Sequence, residues 1–206
     1  VVVLEGARAP LIRGLGAEMG EAIADLHRAE GVDVRCDVRI DTLVPDGVRL
    51  ADGTVVDADI VVVGIGVEPA TGWLDGTGVE VRDGVVCDET LAVLTVSGSP
   101  VPGVYAAGDV ARWPNELFDE EMRIEHWTNA AEQGAHAAAN VVRTARGEPG
   151  EPYAPVPFFW SDQFHHRIQF LGRAAADDDV RVVAGSPADG KFLALFGRGG
   201  RLHGAL

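Results

Sequence analysis

Val104-Tyr105-Ala106-Ala107-Gly108-Asp109-Val110 is the stretch that decides the fold of this 206-residue chain. The four residues before Gly108 predict a buried β-strand, and the turn that follows places the carboxylate of Asp109 at the strand's carboxyl end. Open α/β sheets bind ligands at the carboxyl ends of their strands. The small residues of the turn let the backbone approach a ligand closely. A carboxylate at this place can accept a hydrogen bond from a sugar hydroxyl, and an ordinary strand end is the alternative interpretation.

The N-terminal third of the chain alternates short apolar runs with one amphipathic segment. Residues 1–4 predict a strand, and the apolar spacing over residues 16–30 predicts a helix. Asp52-Gly53 lies between two alternating runs and predicts a tight hairpin over residues 47–56. The continuous apolar run of residues 59–66 predicts a strand that is covered on both faces.

A proline-rich segment divides the rest of the chain. Four prolines fall within residues 149–157, which predicts a linker or a domain boundary. Before it, residues 128–142 predict a helix rich in small side chains. After it, residues 167–172, 180–185 and 191–196 alternate in the way that antiparallel strands do.

The composition argues against several classes of protein. A net charge of -15 does not suit a nucleic-acid partner, and no apolar run approaches the roughly 20 residues that cross a bilayer. Cys36 and Cys87 stand far apart and form no C-x-x-C pair, which predicts a reducing compartment, the cytoplasm. The histidines show no ligand spacing with cysteines or carboxylates, so we expect no metal site.

Both ends of the sequence favour an internal fragment. The chain opens inside an apolar strand without a methionine, and residues 201–206 stop where another strand begins. The first residues also lack the basic start and the cleavage site of a signal peptide. We therefore expect the chain to be part of a longer protein.

Three motifs together resemble the ferredoxin reductase family of FAD-dependent, pyridine-nucleotide oxidoreductases. They are the Gly108-Asp109 strand end, Glu125-His126-Trp127 with the helix behind it, and Phe158-Phe159-Trp160-Ser161-Asp162-Gln163. The resemblance implies an α/β fold with parts of two dinucleotide-binding, Rossmann-like domains and a smaller α+β C-terminal domain with an antiparallel sheet. The implied domains are a partial NAD-binding domain from its second strand onward (1–68), the C-terminal half of an FAD-binding domain (69–150) and a truncated C-terminal reductase domain (151–206).

The resemblance also implies which residues hold FAD. Asp109 would bind the ribityl hydroxyl of the flavin, and Trp160 would lie beside the flavin on the side of the electron acceptor. A helix start carries roughly half a unit of positive charge, which suits the pyrimidine edge of a flavin. On residue type alone, a capped amphipathic helix and an aromatic core remain open alternatives. The implied FAD residues are Gly108, Asp109, Glu125, His126, Trp127 and Trp160.

A second set of residues is implied to hold NADH. Glu5 ends the first strand, where an acid accepts hydrogen bonds from the adenine ribose and repels a 2′-phosphate, so that NADH is favoured over NADPH. Arg13 matches a family position that helps to hold the nucleotide. Gly64, Ile65 and Gly66 resemble the loop under the nicotinamide, where glycines allow a flat ring to approach closely. A solvated strand end, a loop charge and a plain turn are the alternatives.

The implied activity is hydride transfer from NADH onto FAD, followed by transfer of single electrons to a small iron–sulfur protein, ferredoxin or rubredoxin. No catalytic side chain is assigned, because the protein's main contribution to such chemistry is orientation. The sequence departs from the family pattern in having no G-x-G-x-x-G fingerprint before Glu5. We therefore expect the chain alone to bind flavin weakly or not at all, and to be inactive.

Two other functions remain open on the same scaffold. One is a disulfide reductase, whose cysteine pair would lie before Val1. The other is a non-catalytic binding protein of the apoptosis-inducing-factor type, although the acidic balance of the chain does not favour phosphate contacts with DNA.

Overall fold

The computed structural model describes residues 1–175 and 177–206, and for Arg13 it describes the backbone but not the side chain. Its helices are α1 (Ile12–Ala29) and α2 (Trp127–Ala145). Its strands are β1 (Val2–Leu4), β2 (Asp33–Arg35), β3 (Ile40–Val44), β4 (Gly47–Leu50), β5 (Val55–Asp57), β6 (Val85–Val86), β7 (Ala92–Leu94), β8 (Pro100–Tyr105), β9 (Ala111–Asn115), β10 (Glu120–Arg123), β11 (Phe158–Gln163), β12 (His166–Gly172), β13 (Asp179–Ser186), β14 (Lys191–Arg198) and β15 (Arg201–Ala205).

The strands pair both in parallel and antiparallel. β1 pairs with β2 in parallel, while β3, β4 and β5 form an antiparallel meander. β9 pairs with β6 in parallel and with β10 antiparallel, and β7 with β8 antiparallel. β11 and β12 are neighbours in a hairpin, and β13, β14 and β15 form an antiparallel sheet.

The contacts divide the chain into two compact units that are not continuous in sequence. Unit 1 comprises Val1–Gly66, Asp162–Arg167 and Arg173–Leu206, and unit 2 comprises Val67–Ser161 and Ile168–Gly172. The hairpin of β11 and β12 is therefore shared, with its tip in unit 1 and its base in unit 2.

Unit 1 is organised around the amphipathic helix α1 and the meander. Leu15, Met19 and Ile23 recur at helical spacing on the buried face of α1. The helix begins earlier than the predicted residue 16, but its regular part starts beyond Gly16, where the backbone leaves helical geometry at φ 75° and ψ 172°. Val48 and Leu50 of β4 and Val56 of β5 form a smaller apolar cluster.

Unit 2 holds the larger core. Trp113 of β9 is fully buried, and around it pack apolar residues of β6, β7, β10 and the middle of the proline-rich segment. Ala137 on α2 belongs to the same cluster, so the helix lies directly on this core. Burying an aromatic side chain of this size removes about 150–250 Å² from water, which supplies about 4–6 kcal/mol of transfer free energy.

Several predicted elements are confirmed. The hairpin predicted over residues 47–56 is the pair β4 and β5, and the alternating C-terminal runs are β12, β13 and β14. The helix predicted over residues 128–142 is α2, which is one residue longer at its start and three longer at its end.

The prediction of a doubly covered strand at residues 59–66 is wrong. This run forms no strand, and its side chains are exposed, with Ile60 at 82% and Val62 at 89%. An apolar run of this kind is typical of a buried strand. Among the described residues, however, no strand pairs with it.

The strand before Gly108 is correctly located but not buried. β8 ends at Tyr105, and Val104 is exposed. Its described partner is β7 alone, so the strand lies in a two-stranded sheet.

The proline-rich segment is not a free linker. Tyr153 is buried, and its carbonyl accepts a hydrogen bond from Nε1 of Trp113 at 3.0 Å. Nδ2 of Asn115 donates to the carbonyl of Pro155 at 2.9 Å, and Nδ2 of Asn140 donates to that of Glu151 at 2.9 Å. Extended backbone without a strand partner is thus held by buried side chains that satisfy its carbonyl groups.

Candidate functional site

The candidate site begins at the turn between β8 and β9. Gly108, Asp109 and Val110 form one 3-10 turn, in which Gly108 is buried at φ 77°. A side chain there would be strained, since L-residues avoid positive φ. Its Cβ would also lie 3.4 Å from Cβ of Ala130 on α2. Glycine therefore allows the turn to rest on the first turns of α2.

Asp109 is the exposed residue of this turn. Its backbone carbonyl accepts a hydrogen bond from Nη1 of Arg123 at 3.1 Å. Among the described residues its carboxylate makes neither a hydrogen bond nor an ion pair, and it is exposed to solvent. The backbone of Asp109 is thus fixed, while its carboxylate is available to a ligand.

The start of α2 lies beside this turn. His126 is the N-cap with an extended backbone, and its side chain makes no capping hydrogen bond. The first amides of a helix have no partners within the helix, and they carry the positive end of the helix dipole. Gln133, fully buried nearly two turns further along, accepts a hydrogen bond from the amide of Gly108 at 2.7 Å through Oε1. Its Nε2 is buried without a hydrogen-bond partner in the described residues.

Aromatic side chains border the same helix start. Trp127 is 78% exposed, and its ring meets that of Trp160 edge to face, with centroids 6.4 Å apart. The ring of Phe158 stacks on Trp160 at 5.9 Å. The hydroxyl of Thr128 donates to the carbonyl of Phe158 at 2.5 Å, which ties the start of β11 to the first turn of α2.

Arg123 forms two ion pairs beside the candidate site. Nη1 of Arg123 lies 2.6 Å from the carboxylate of Glu125, and its Nε lies 3.2 Å from that of Asp83. Burial lowers the pKa of the Arg123 guanidinium, but the hydrogen bonds with Asp83 and Glu125 outweigh it and raise that pKa above its usual value. Arg123 therefore stays charged at every working pH.

The residues predicted to bind NADH all fall in unit 1. Glu5 follows β1, and its Oε1 accepts the amide of Ala7 at 2.8 Å. Gly64 and Gly66 lie in the exposed run, Gly66 at φ 104°, and a Cβ at either would meet open space. Ile65 between them is exposed. The side chain of Arg13 lies outside the described part of the chain, so its predicted role stays a prediction.

The structure brings the predicted FAD residues together in unit 2, with the Gly108-Asp109 turn, the start of α2 and Trp160 linked by the contacts above. Sequence reasoning assigned no role to Arg123 and Gln133. Arg123 links the turn to Glu125, and Gln133 links the turn to α2. The only local signal was the order of Arg123 and Glu125, two apart at the end of β10. It carries little information without the tertiary contacts.

The described residues contain no group of three or more His, Cys, Asp or Glu side chains that could hold a metal ion. In residues 1–175 and 177–206, no helix is both long and apolar enough to cross a membrane.

Two protein-family models match the chain. The model of the pyridine nucleotide-disulphide oxidoreductases matches residues 1–134, which is more than half of the chain. The reductase C-terminal model matches residues 158–206.

Curated and solved relatives agree with these matches. The 5,5'-dehydrodivanillate O-demethylase ferredoxin reductase subunit of Sphingobium sp. (strain NBRC 103272 / SYK-6) is 37% identical over 210 residues, which cover 98% of this chain and 48% of that protein. The crystal structure of Fdr9 has a TM-score of 0.87 at 37% identity, covering 100% of this chain and 50% of that one. The crystal structure of the covalent putidaredoxin reductase–putidaredoxin complex has a TM-score of 0.86 at 30% identity, covering 100% of this chain and 48% of that one.

The chain spans about half the length of these relatives. Its mixed α/β architecture with an antiparallel C-terminal sheet matches that of the solved structures, which confirms the predicted fold class. By the family model that covers its first 134 residues, the chain belongs to the pyridine nucleotide-disulphide oxidoreductase family.

Proposed function

We propose that the complete protein is a flavoprotein oxidoreductase that passes electrons from NADH through FAD to a small iron–sulfur protein, and that this chain supplies its flavin-facing C-terminal part. One observation carries the proposal. The Gly108-Asp109 turn packs on the start of α2, so that an accessible carboxylate and uncapped helix amides are held within one compact unit.

The residues present fit a flavin. A buried amide nitrogen without a partner is costly, and Nε2 of Gln133 is such a group beside the turn. The accessible carboxylate of Asp109 suits the hydroxyls of a sugar-alcohol chain. The helix start behind His126 favours an electron-rich ring edge through its dipole. The turn and the helix start thus offer FAD both an acceptor and donors, which supports the proposal.

The chain's own residues would bind and orient rather than react. The carboxylate of Asp109 would accept a hydrogen bond from a hydroxyl of the ribityl chain. The first amides of α2 would face the pyrimidine edge of the ring. Trp127 and Trp160 would cover apolar parts of the ring and keep water from them. When bound, FAD itself supplies the chemistry, accepting a hydride and releasing electrons one at a time.

We further propose NADH rather than NADPH as the electron donor. The carboxylate of Glu5 is fixed by the amide of Ala7 at the end of β1. An acid at that position accepts from ribose hydroxyls and repels a 2′-phosphate. The family's general use of a pyridine nucleotide supports the coarser part of this proposal.

The proposed electron acceptor is a ferredoxin-like protein. A relative is named as a ferredoxin reductase subunit, and a similar structure is a covalent complex of putidaredoxin reductase with putidaredoxin. The match of the reductase C-terminal model to residues 158–206 favours this function over a disulfide reductase. The two free cysteines support a cytoplasmic location.

Electron transfer by the complete protein, loaded with FAD, tests the proposal. We expect NADH to reduce ferricyanide rapidly, and cytochrome c reduction to require an added ferredoxin or rubredoxin. Flavin-loaded protein that NADH does not reduce would support the non-catalytic alternative. Reduction of a disulfide substrate in place of the iron–sulfur protein would support the disulfide reductase.

A further inference from the structure

The side chain of Arg123 contacts both halves of the candidate flavin site, the Gly108-Asp109 turn and the segment that leads into α2. Its Nη1 donates to the backbone carbonyl of Asp109 at 3.1 Å and lies 2.6 Å from the carboxylate of Glu125. Only 12% of the side chain is exposed. One guanidinium therefore joins the turn after β8 to the segment that leads into α2.

A strained turn makes room for this side chain. Asp83 and Gly84 both have positive φ, at 45° and 116°. A Cβ on Gly84 would lie 2.9 Å from Cδ of Arg123 and 2.7 Å from the carbonyl oxygen of Val110. The turn also brings the carboxylate of Asp83 within 3.2 Å of the guanidinium Nε. Strain of this kind persists only where the surrounding structure compensates for it.

Arg123 and Gln133 hold the turn at the two peptide groups that flank the one between Gly108 and Asp109. Gln133 accepts from the amide of Gly108, and Arg123 donates to the carbonyl of Asp109. The backbone on either side of the Asp109 side chain is thereby fixed, while its carboxylate makes no contact with the described protein. The direction of that carboxylate then depends on both contacts.

We propose, on the basis of the proposed function, that Arg123 is a positioning residue: it aims the Asp109 carboxylate at the ribityl chain of the flavin and holds Glu125 beside the helix start. The planar guanidinium reaches Asp109, Glu125 and Asp83 at once, whereas a lysine ammonium is a single point charge. A lysine would keep the charge but lose this geometry.

Arg112 offers a closely matched control. It lies directly opposite Arg123 in the β9–β10 pair and shares the Asp83 carboxylate, at 3.4 Å. Its other partner is Glu121 at 2.9 Å, and its side chain is 24% exposed. Arg112 contacts neither Asp109 nor Glu125 through any described interaction, so Arg112→Lys disturbs the same ion-pair network away from the site.

The test compares Arg123→Lys and Arg112→Lys in the complete protein. We expect Arg123→Lys to weaken FAD binding by about tenfold or more, since a hydrogen bond from a charged group is lost. The absorption maxima of the remaining bound flavin should shift. Hydrogen exchange at residues 108–110 should become faster in the flavin-free protein. Arg112→Lys should change none of these.

A second variant separates positioning from folding. We expect Arg123→Ala to lose FAD affinity and to regain part of it with millimolar methylguanidinium, which a merely structural defect would not allow. Equal FAD affinity, spectra and exchange for the two lysine variants would overturn the role of Arg123, and so would a failure of rescue. Wild-type protein that binds no flavin would overturn the proposed function instead.

Discussion

The amide nitrogen of Gly108 lies 2.7 Å from Oε1 of Gln133, so the turn after β8 is tied to a fully buried side chain of α2. The bond crosses 25 residues of sequence and connects the two elements on which the candidate flavin site depends.

Replacing Gln133 by leucine should lower the stability of the chain. The amide of Gly108 is buried and would lose its acceptor, which costs about 1–3 kcal/mol. Urea unfolding followed by circular dichroism measures the free energy of unfolding. Glu132→Leu, an exposed position next to it, should change that free energy by about 0.5 kcal/mol or less. Equal effects at the two positions would contradict a buried hydrogen bond.

In the complete protein, Asp109→Asn should weaken flavin binding without weakening the fold. The carboxylate is exposed and has no described protein partner, so thermal unfolding of the flavin-free protein should stay unchanged. Loss of a charged acceptor toward a hydroxyl should raise the Kd for FAD by about tenfold or more. Asp119→Asn is the control, because Asp119 is exposed in the turn at the other end of β10. A reduced melting temperature for Asp109→Asn alone would show a structural role instead.

The stability of the chain should fall in alkali through Cys87. Burial raises the pKa of this thiol to about 12. The folded state therefore keeps a proton that the unfolded state loses from about pH 9 upward. The resulting stabilisation is complete below pH 9 and is lost as the pH approaches 12, at up to about 1.4 kcal/mol per pH unit.

Urea unfolding between pH 8 and about 11 measures this slope. Cys87→Ala should make the alkaline decline shallower, although Tyr153, whose pKa burial also raises to about 12, keeps part of it. Cys36→Ala should retain most of the slope, because its thiol is only half-buried. If Cys87→Ala declined as steeply as the wild type, the buried thiol would not be the cause.

Glu5→Gln should shift the choice of nucleotide in the complete protein. Glutamine can still accept the amide of Ala7, so the end of β1 keeps its hydrogen bond while the charge is lost. We expect the ratio of kcat/KM for NADH to that for NADPH to fall by about tenfold, or about 1.4 kcal/mol. Glu30→Gln, at the exposed end of α1, should leave the ratio unchanged. An unchanged ratio in Glu5→Gln would mean that this carboxylate does not face the ribose.

Local chemistry was enough to predict the parts of the fold whose signals are local. Asp52-Gly53 indicates a hairpin because few other pairs fit the turn, and β4 and β5 confirm it. Glycine and small residues in the same way predicted that Asp109 follows a strand. Helical spacing predicted α2 close to where it begins, at Trp127.

What sequence could not supply were partners distant along the chain. The apolar run of residues 59–66 indicates burial but does not say which strand would lie beside it. The segment around Tyr153 is the opposite case. Its four prolines predict a linker, but hydrogen bonds from Trp113 and Asn115 hold it in place. Arg123 is ordinary in sequence, and only its contacts with Asp83, Asp109 and Glu125 give it a role.

The exposed run that begins at Ile60-Val61-Val62-Val63 has a practical consequence for anyone who expresses this 206-residue chain by itself. Uncharged, β-branched segments without proline are the ones that stack between molecules as cross-β aggregates. We therefore expect self-association in a concentrated preparation to begin at these four side chains, and Val62→Lys to reduce it.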